Sequence, residues 1–322
     1  PLSLFNLKKN DDFGIFEVGM DKRGEIDYLS KIIKPDVGVI TNVSYAHIKN
    51  FKSINQIALA KSEIIKNIKE EGHLILNKDD QFFNFHKKIG LKRNLKILSF
   101  SLRDKSATVN LDSILKKKSK YKISIDIDKT KKYFYFNSFF ENDLKNLLAT
   151  ITIISIYKDI HKLNKNIFYD HKATNGRGDI IKIKLFKKSF YLVDESYNSN
   201  PLSLKSALKN FDMITVNSSK KHLVLGDMLE LGRYSKKLHT EIGKSINKTS
   251  LKNVNVIGNH VKWAFNSLNK SKRGIVIKNK SQIIDLIKNN LNNNDYLMIK
   301  GSNSTGLNNL TSQIRAGKIN AI

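Results

Sequence analysis

The stretch from Phe13 to Glu63, FGIFEVGMDKRGEIDYLSKIIKPDVGVITNVSYAHIKNFKSINQIALAKSE, restricts the chain to few folds. Phe13–Phe16 is a short apolar run ending at Glu17, which predicts a strand. From Gly24 to Ile33, residues Ile26, Leu29, Ile32 and Ile33 share one helical face, and Pro35-Asp36 breaks the pattern. Val37–Ile40 is a second apolar run leading into Thr41-Asn42. Two short strands joined by a helix make a parallel βαβ unit, whose ligands gather at the carboxyl ends of the strands. Glu17, Asn42 and His47 fall at those ends.

The next helix opens at Ser53, with Gln56 three residues on, a capping-box spacing. Its inward stripe reads Ile54, Ile57, Ala58, Lys61, Ile64, Ile65 and Ile68, so Lys61 lies on the face that should be buried. One reading is a lysine that snorkels to the helix edge. The other is an amine held at a site, where burial lowers its pKa and makes it reactive.

Further strands are expected at His73–Leu76 and Leu95–Phe100. From Ala107 to Phe136 the apolar period becomes two, which predicts an antiparallel meander, and Leu144 to Tyr157 is a strongly apolar helix. The polar, glycine-containing run HKATNGRG at 171–178 marks a boundary, giving expected domains 1–172 and 173–322. A hairpin over Asp179–Phe186 and Phe190–Val193 follows. Asn200-Pro201 then caps a helix over Leu202 to Phe211. Strands at Leu223–Leu225, Val254–Ile257, Ile275–Ile277 and Tyr296–Ile299 alternate with helices near 236–247, 260–268, 281–291 and 306–315. The fold class is α/β: a mostly parallel first sheet, incomplete at its start, followed by a Rossmann-like second domain.

The net charge of +28 raises nucleic acid as a partner, but only seven of the 57 basic residues are arginine, and the lysines are spread along the whole chain. That distribution looks like the codon bias of an A+T-rich genome rather than a built interface, although a general attraction to polyanions follows from the field. With no cysteine, disulfides and thiolate metal sites are excluded, and no apolar run reaches membrane-spanning length, so a soluble cytoplasmic protein is expected. Gly301 to Gly306 has the glycine spacing of a phosphate loop. It continues into Leu307-Asn308 where lysine and a hydroxyl are required, and is rejected as one.

Glu17, His47 and Lys61 read together as a metal site. Carboxylate suits Mg²⁺, imidazole is a less usual ligand for it, and an ammonium cannot be one. Carbamylation of Lys61 by CO₂ would make it an anionic oxygen ligand. Taken singly, Glu17 reads as a solvated strand end and His47 as a loop residue.

The strings EVGMDKRGEI, DVGVITNVSYAHIKNF, ALAKSEII, GRGDI, VDESYNSNPLSLKSAL, LVLGDMLELG and IKGSNSTG occur in the order and spacing of the Mur ligases, and the chain resembles that family over nearly its whole length. The YNSNP and LGDMLELG strings are most similar to the member that adds D-alanyl-D-alanine to UDP-N-acetylmuramoyl-tripeptide. The resemblance implies these two substrates, ATP and Mg²⁺ as cofactors, and peptide-bond formation through an acyl phosphate in peptidoglycan synthesis. It implies Glu17, His47 and carbamylated Lys61 as the catalytic metal-binding set. Asn42, Asn146, Arg177, Glu195 and Asn198 are implied around ATP, and Asn200, Asp227, Lys300 and Ser302 around substrate. A monomer is expected, without specific nucleic-acid binding or membrane insertion. The alternatives are another amino-acid ligase of the family, or a basic nucleic-acid-binding protein.

Three departures from the family pattern stand out. Glu195 occupies a position usually held by aspartate, Asn142-Asp143 stands where His-Asn is usual before Asn146, and Asn303 follows the KGS motif in place of arginine. The family's phosphate loop and UDP-binding domain are expected upstream of Pro1, so the chain on its own is expected to be an inactive fragment.

Overall fold

The structure, a computed structural model, describes residues 2–117, 120–171 and 174–318. By their packing these form two compact units: residues up to 43 with 50–171, and 44–49 with those from 174 on. The boundary expected at 172/173 lies outside the described residues.

In the first unit, α1 (Glu25–Ile33) precedes β1 (Val37–Ile40), α2 (Ile54–Lys61), α3 (Glu63–Asn67) and β2 (His73–Asn77). Then come α4 (Phe83–Lys92), β3 (Lys96–Ser101), β4 (Val109–Lys117), β5 (Lys120–Ile127), β6 (Thr130–Phe136) and α5 (Glu141–Tyr157). The six strands form one sheet in sequence order. β1 to β4 are parallel, and β4, β5 and β6 are the antiparallel meander that the period-two pattern predicts. The apolar face of α5 covers this sheet, with Leu144, Leu147, Leu148 and Ile151 packed among Phe100, Val109, Ile123, Ile125 and Phe134.

The strand expected at Phe13–Phe16 does not form, and Glu17 is therefore not a strand end. Phe13 is 57% exposed and Ile15 94%, and among the described residues β1 has β2 on one side only and is the sheet edge. An apolar run becomes a strand only where a ladder takes up its backbone groups, and none does so here. The βαβ unit is instead β1, α2–α3 and β2, in parallel register from Val37 opposite His73 to Ile40 opposite Leu76. The start of α1 is finished from a distance: the Glu63 carboxylate, 6% exposed, accepts from the Gly24 amide at 2.9 Å and the Asp27 amide at 3.2 Å. An anion at the positive end of a helix satisfies donors that have no intrahelical partner.

The second unit contains β7 (Asp179–Leu185), β8 (Lys188–Glu195), α6 (Pro201–Asp212), β9 (Lys221–Gly226), α7 (Ser235–Asn247) and β10 (Val254–Ile257). It continues with α8 (Lys262–Asn266), β11 (Arg273–Ile277), α9 (Ser281–Asn289), β12 (Tyr296–Lys300) and α10 (Leu307–Ala316). Its sheet runs β11-β10-β9-β12-β8-β7, parallel except for the β7–β8 hairpin. Every residue of β9 is buried, as a strand covered on both faces requires. One face packs Leu192, Val224, Leu297 and Ile299 against Ile283, Leu286, Leu310 and Ile314 of α9 and α10. Asn200 caps α6 as its sequence predicts: its side chain accepts from the Ser203 amide at 2.9 Å, Ser203 Oγ accepts in return, and Pro201 fills the first turn.

Candidate functional site

In the first unit the site is built at the carboxyl ends of β1 and β2. Asn42, half-buried, follows β1 on the loop Thr41-Asn42-Val43. The last residue of β2 and one just beyond it hold that loop. Asn77 Nδ2 donates to the Thr41 carbonyl at 3.0 Å, and the Val43 amide donates to Asp80 Oδ2 at 2.8 Å. Lys61, the last residue of α2, is half-buried on the stripe that includes Ile57 and Ala58. Burial holds its amine below the ordinary lysine value, while the charge of Asp80 pulls the other way. His86 from α4 bonds through Nε2 to the Ala58 carbonyl at 3.0 Å, and burial depresses its pKa as well. Ala58 O also accepts from Ser62 N at 2.9 Å, so the helix end that bears Lys61 is fixed twice.

The carboxylate acting on Lys61 is thus Asp80, which the spacing of Glu17, His47 and Lys61 does not single out. Glu17 is exposed on an irregular segment. His47 belongs to the segment that packs with the second unit, where its Nδ1 lies 2.7 Å from Glu230 Oε2. Both residues hold left-handed backbone angles, φ 59° and 61°, which a non-glycine residue adopts at a cost of about 1–3 kcal/mol. Asn146 is exposed on α5. Asp80 and His86 carry no motif of their own. The legible signal for them is the Asn77-Lys78-Asp79-Asp80 run that closes β2.

In the second unit, polar residues gather where β8, β9 and β12 end. Lys300, 2% exposed, closes β12 and donates to Glu195 Oε2 at 3.2 Å, the Glu195 carbonyl at 3.3 Å and the Asn198 carbonyl at 3.0 Å. Burial depresses its pKa, with Glu195 opposing that shift. Three acceptors match the three hydrogens of an ammonium. Asp194, by contrast, is used within the fold: Ser196 Oγ donates to it at 2.6 Å and Arg315 Nε lies 3.4 Å away. Of the two neighbouring acids, Glu195 is therefore the one turned to the lysine.

Asp227 follows β9 and accepts from Asn259 N at 3.1 Å and Val261 N at 2.7 Å, one oxygen each. Ser302 Oγ accepts from Leu229 N at 2.8 Å and donates to the Ser199 carbonyl at 3.2 Å. These contacts fix the loops after β9 and β12 to the 195–200 loop. Met228 N donates to His239 Nε2 at 3.1 Å, and Nδ1 faces the Ser235 carbonyl at 2.8 Å, so the neutral ring carries its proton on Nδ1. Arg177 is exposed with its guanidinium 4.4 Å from the Tyr197 ring centre. The turn that bears it is tied by Tyr197 N to Gly176 O at 3.0 Å and Gly178 N to Asp194 O at 2.7 Å. The exposed side chain of Asn198 accepts from Ser199 N at 2.8 Å.

No helix among the described residues is long and apolar enough to cross a membrane. The Mur ligase middle domain model matches residues 1–154, and the Mur ligase glutamate ligase domain model matches 176–303. A UDP-N-acetylmuramoyl-tripeptide--D-alanyl-D-alanine ligase from Buchnera aphidicola subsp. Baizongia pistaciae is 30% identical, over 98% of this chain and 66% of its own length. The enzyme of the same name from Rickettsia prowazekii is 28% identical, over 95% and 67%. The chain thus spans about two thirds of the length of these curated relatives. Among solved structures, a MurF from Acinetobacter baumannii has a TM-score of 0.84 at 23% identity, covering 98% of this chain and 67% of that one. A MurF from Thermotoga maritima in complex with ADP has a TM-score of 0.78 at 21% identity, covering 95% and 69%. With two domain models of one family matched in succession along its length, this chain belongs to the Mur ligase family.

Proposed function

We propose that the chain supplies the middle and C-terminal parts of an ATP-dependent ligase that joins D-alanyl-D-alanine to UDP-N-acetylmuramoyl-tripeptide. The observation that carries this reading is similarity along 98% of the chain to a ligase of that name. In the reaction, the γ-phosphoryl group of ATP passes to the peptide carboxylate. The incoming amine then attacks the acyl carbon, and phosphate leaves as the amide forms. The cytoplasm, which holds such substrates and ATP, is the proposed location, and the proposed domains are 1–172 and 173–322.

The residues of each unit suit parts of this work. In the first, Asn42 stands at the strand exit where phosphate chemistry belongs in an α/β sheet. The exposed Glu17 carboxylate and a carbamylated Lys61 are oxygen donors of the kind Mg²⁺ takes, with His47 as a further candidate ligand. Bound there, Mg²⁺ would offset charge on the transferring phosphoryl group. The depressed pKa of Lys61 favours the neutral amine that reacts with CO₂. Asn146, Arg177, Glu195 and Asn198 are assigned to the nucleotide, Arg177 as an exposed cation held on a tied turn. Asn200, Asp227, Lys300 and Ser302 have polar atoms already engaged in the second unit, which supports a role in shaping the loops that meet substrate.

The test is ligation by the complete gene product with ATP, Mg²⁺, UDP-N-acetylmuramoyl-tripeptide and a panel of amines. The expected result is one phosphate released per amide, with D-alanyl-D-alanine the preferred amine. Preference for a single amino acid would identify a different ligase of the family. Duplex binding that falls with salt and ignores ATP would favour the nucleic-acid reading.

A further inference from the structure

We propose that Asp80 is a positioning residue of the first-unit site, holding the strand exit that carries Asn42 in register with the helix end that carries Lys61. The inference rests on the ligase reading of Lys61 and adds a residue to it.

The geometry is a division of labour between two adjacent aspartates at the end of β2. Asp79 turns to the neighbour on one side: Oδ1 accepts from Ser101 Oγ at 2.6 Å and Oδ2 from Leu102 N at 2.7 Å, fixing the exit of β3. Asp80 turns to the other side. Its Oδ2 accepts from Val43 N at 2.8 Å, fixing the exit of β1 one residue beyond Asn42. Its Oδ1 accepts from Phe82 N at 2.8 Å and so starts the turn into α4. That helix brings His86 back to the Ala58 carbonyl, one turn before Lys61. A carbonyl only accepts, so Nε2 is the donor in this bond. One carboxylate thereby joins the two loops and the helix end that must agree in position, and its charge also acts on the Lys61 amine. Both Asp80 oxygens are engaged by backbone amides, which suits a positioning role.

The variants are Asp80→Ala and Asp80→Asn. In the complete gene product, a displaced reacting group costs up to about 10²-fold in rate, so Asp80→Ala should lower kcat on that order. The KM values should stay within about two-fold, since no substrate contact is removed. Asparagine keeps one acceptor oxygen of the two and should recover part of the loss. Amide hydrogen exchange adds a readout apart from turnover: Val43 should exchange faster in Asp80→Ala, while Leu102, held by Asp79, should not change. The proposal is overturned if Val43 protection is unaltered. It is also overturned if Asp80→Ala turns over like the parent, or loses rate only in proportion to its unfolded fraction. Lys61→Ala is the control. If it is dead while Asp80→Ala is unimpaired, only the role of Asp80 fails, whereas parental turnover by Lys61→Ala removes the ligase reading of Lys61 itself.

Discussion

The Lys300 ammonium lies 3.2 Å from the Glu195 carboxylate, on side chains 2% and 17% exposed. A buried ion with its partner removed is costlier than the pair replaced, so Glu195→Ala should destabilise the second unit by about 3 kcal/mol. Lys300→Met, which leaves the more exposed acid behind, should cost less. Urea denaturation of the two variants checks the order, and no loss from Glu195→Ala would mean that the carbonyls of Glu195 and Asn198 alone hold Lys300.

Stability should fall in mild acid. Burial depresses the pKa of His239 and His222 below 6.5, against the pull of Asp227 and of Asp295 respectively. The unfolded chain, with its ordinary value near 6.5, therefore takes up protons first as the pH drops. Their contribution is complete above that value and is lost as the pH falls through it towards the depressed folded values. The urea midpoint should decline from about pH 7 to about pH 5. His239→Gln, whose carbonyl can still accept from Met228, should shallow that decline.

Gly258 holds φ +128°, and a Cβ there would stand 2.5 Å from the Asp227 carboxylate. Gly258→Ala should cost about 1–3 kcal/mol through backbone strain and displace the loop that Asp227 caps. At Gly19 a Cβ meets nothing within 4 Å, so Gly19→Ala should stay within about 0.5 kcal/mol of the parent. Thermal denaturation separates the two.

Local signals in the sequence reached the elements that local chemistry decides. The Asn200-Pro201 cap, the period change at Ala107 and the apolar β9 each became the structure their residues favour. Phe13–Phe16 failed because a strand is made by its neighbour as much as by its own residues. The partial burial of Lys61 was legible from helical phase. Asp80 was not, because a carboxylate after a strand looks like a solvated end until the exits of β1 and β2 are seen side by side. Asp227 and Ser302 were named only through the resemblance, and their bonds were hidden because the partners lie across three strand ends and 30 or more positions away in sequence.

The most direct measurement is amide formation by Lys61→Ala in the complete gene product, with and without short carboxylates added. The expected result is no product from the variant alone and partial recovery when acetate or formate supplies the missing oxygen ligand. Turnover equal to the parent with no carboxylate added would contradict it, because the buried amine at the end of α2 would then have no part in the chemistry.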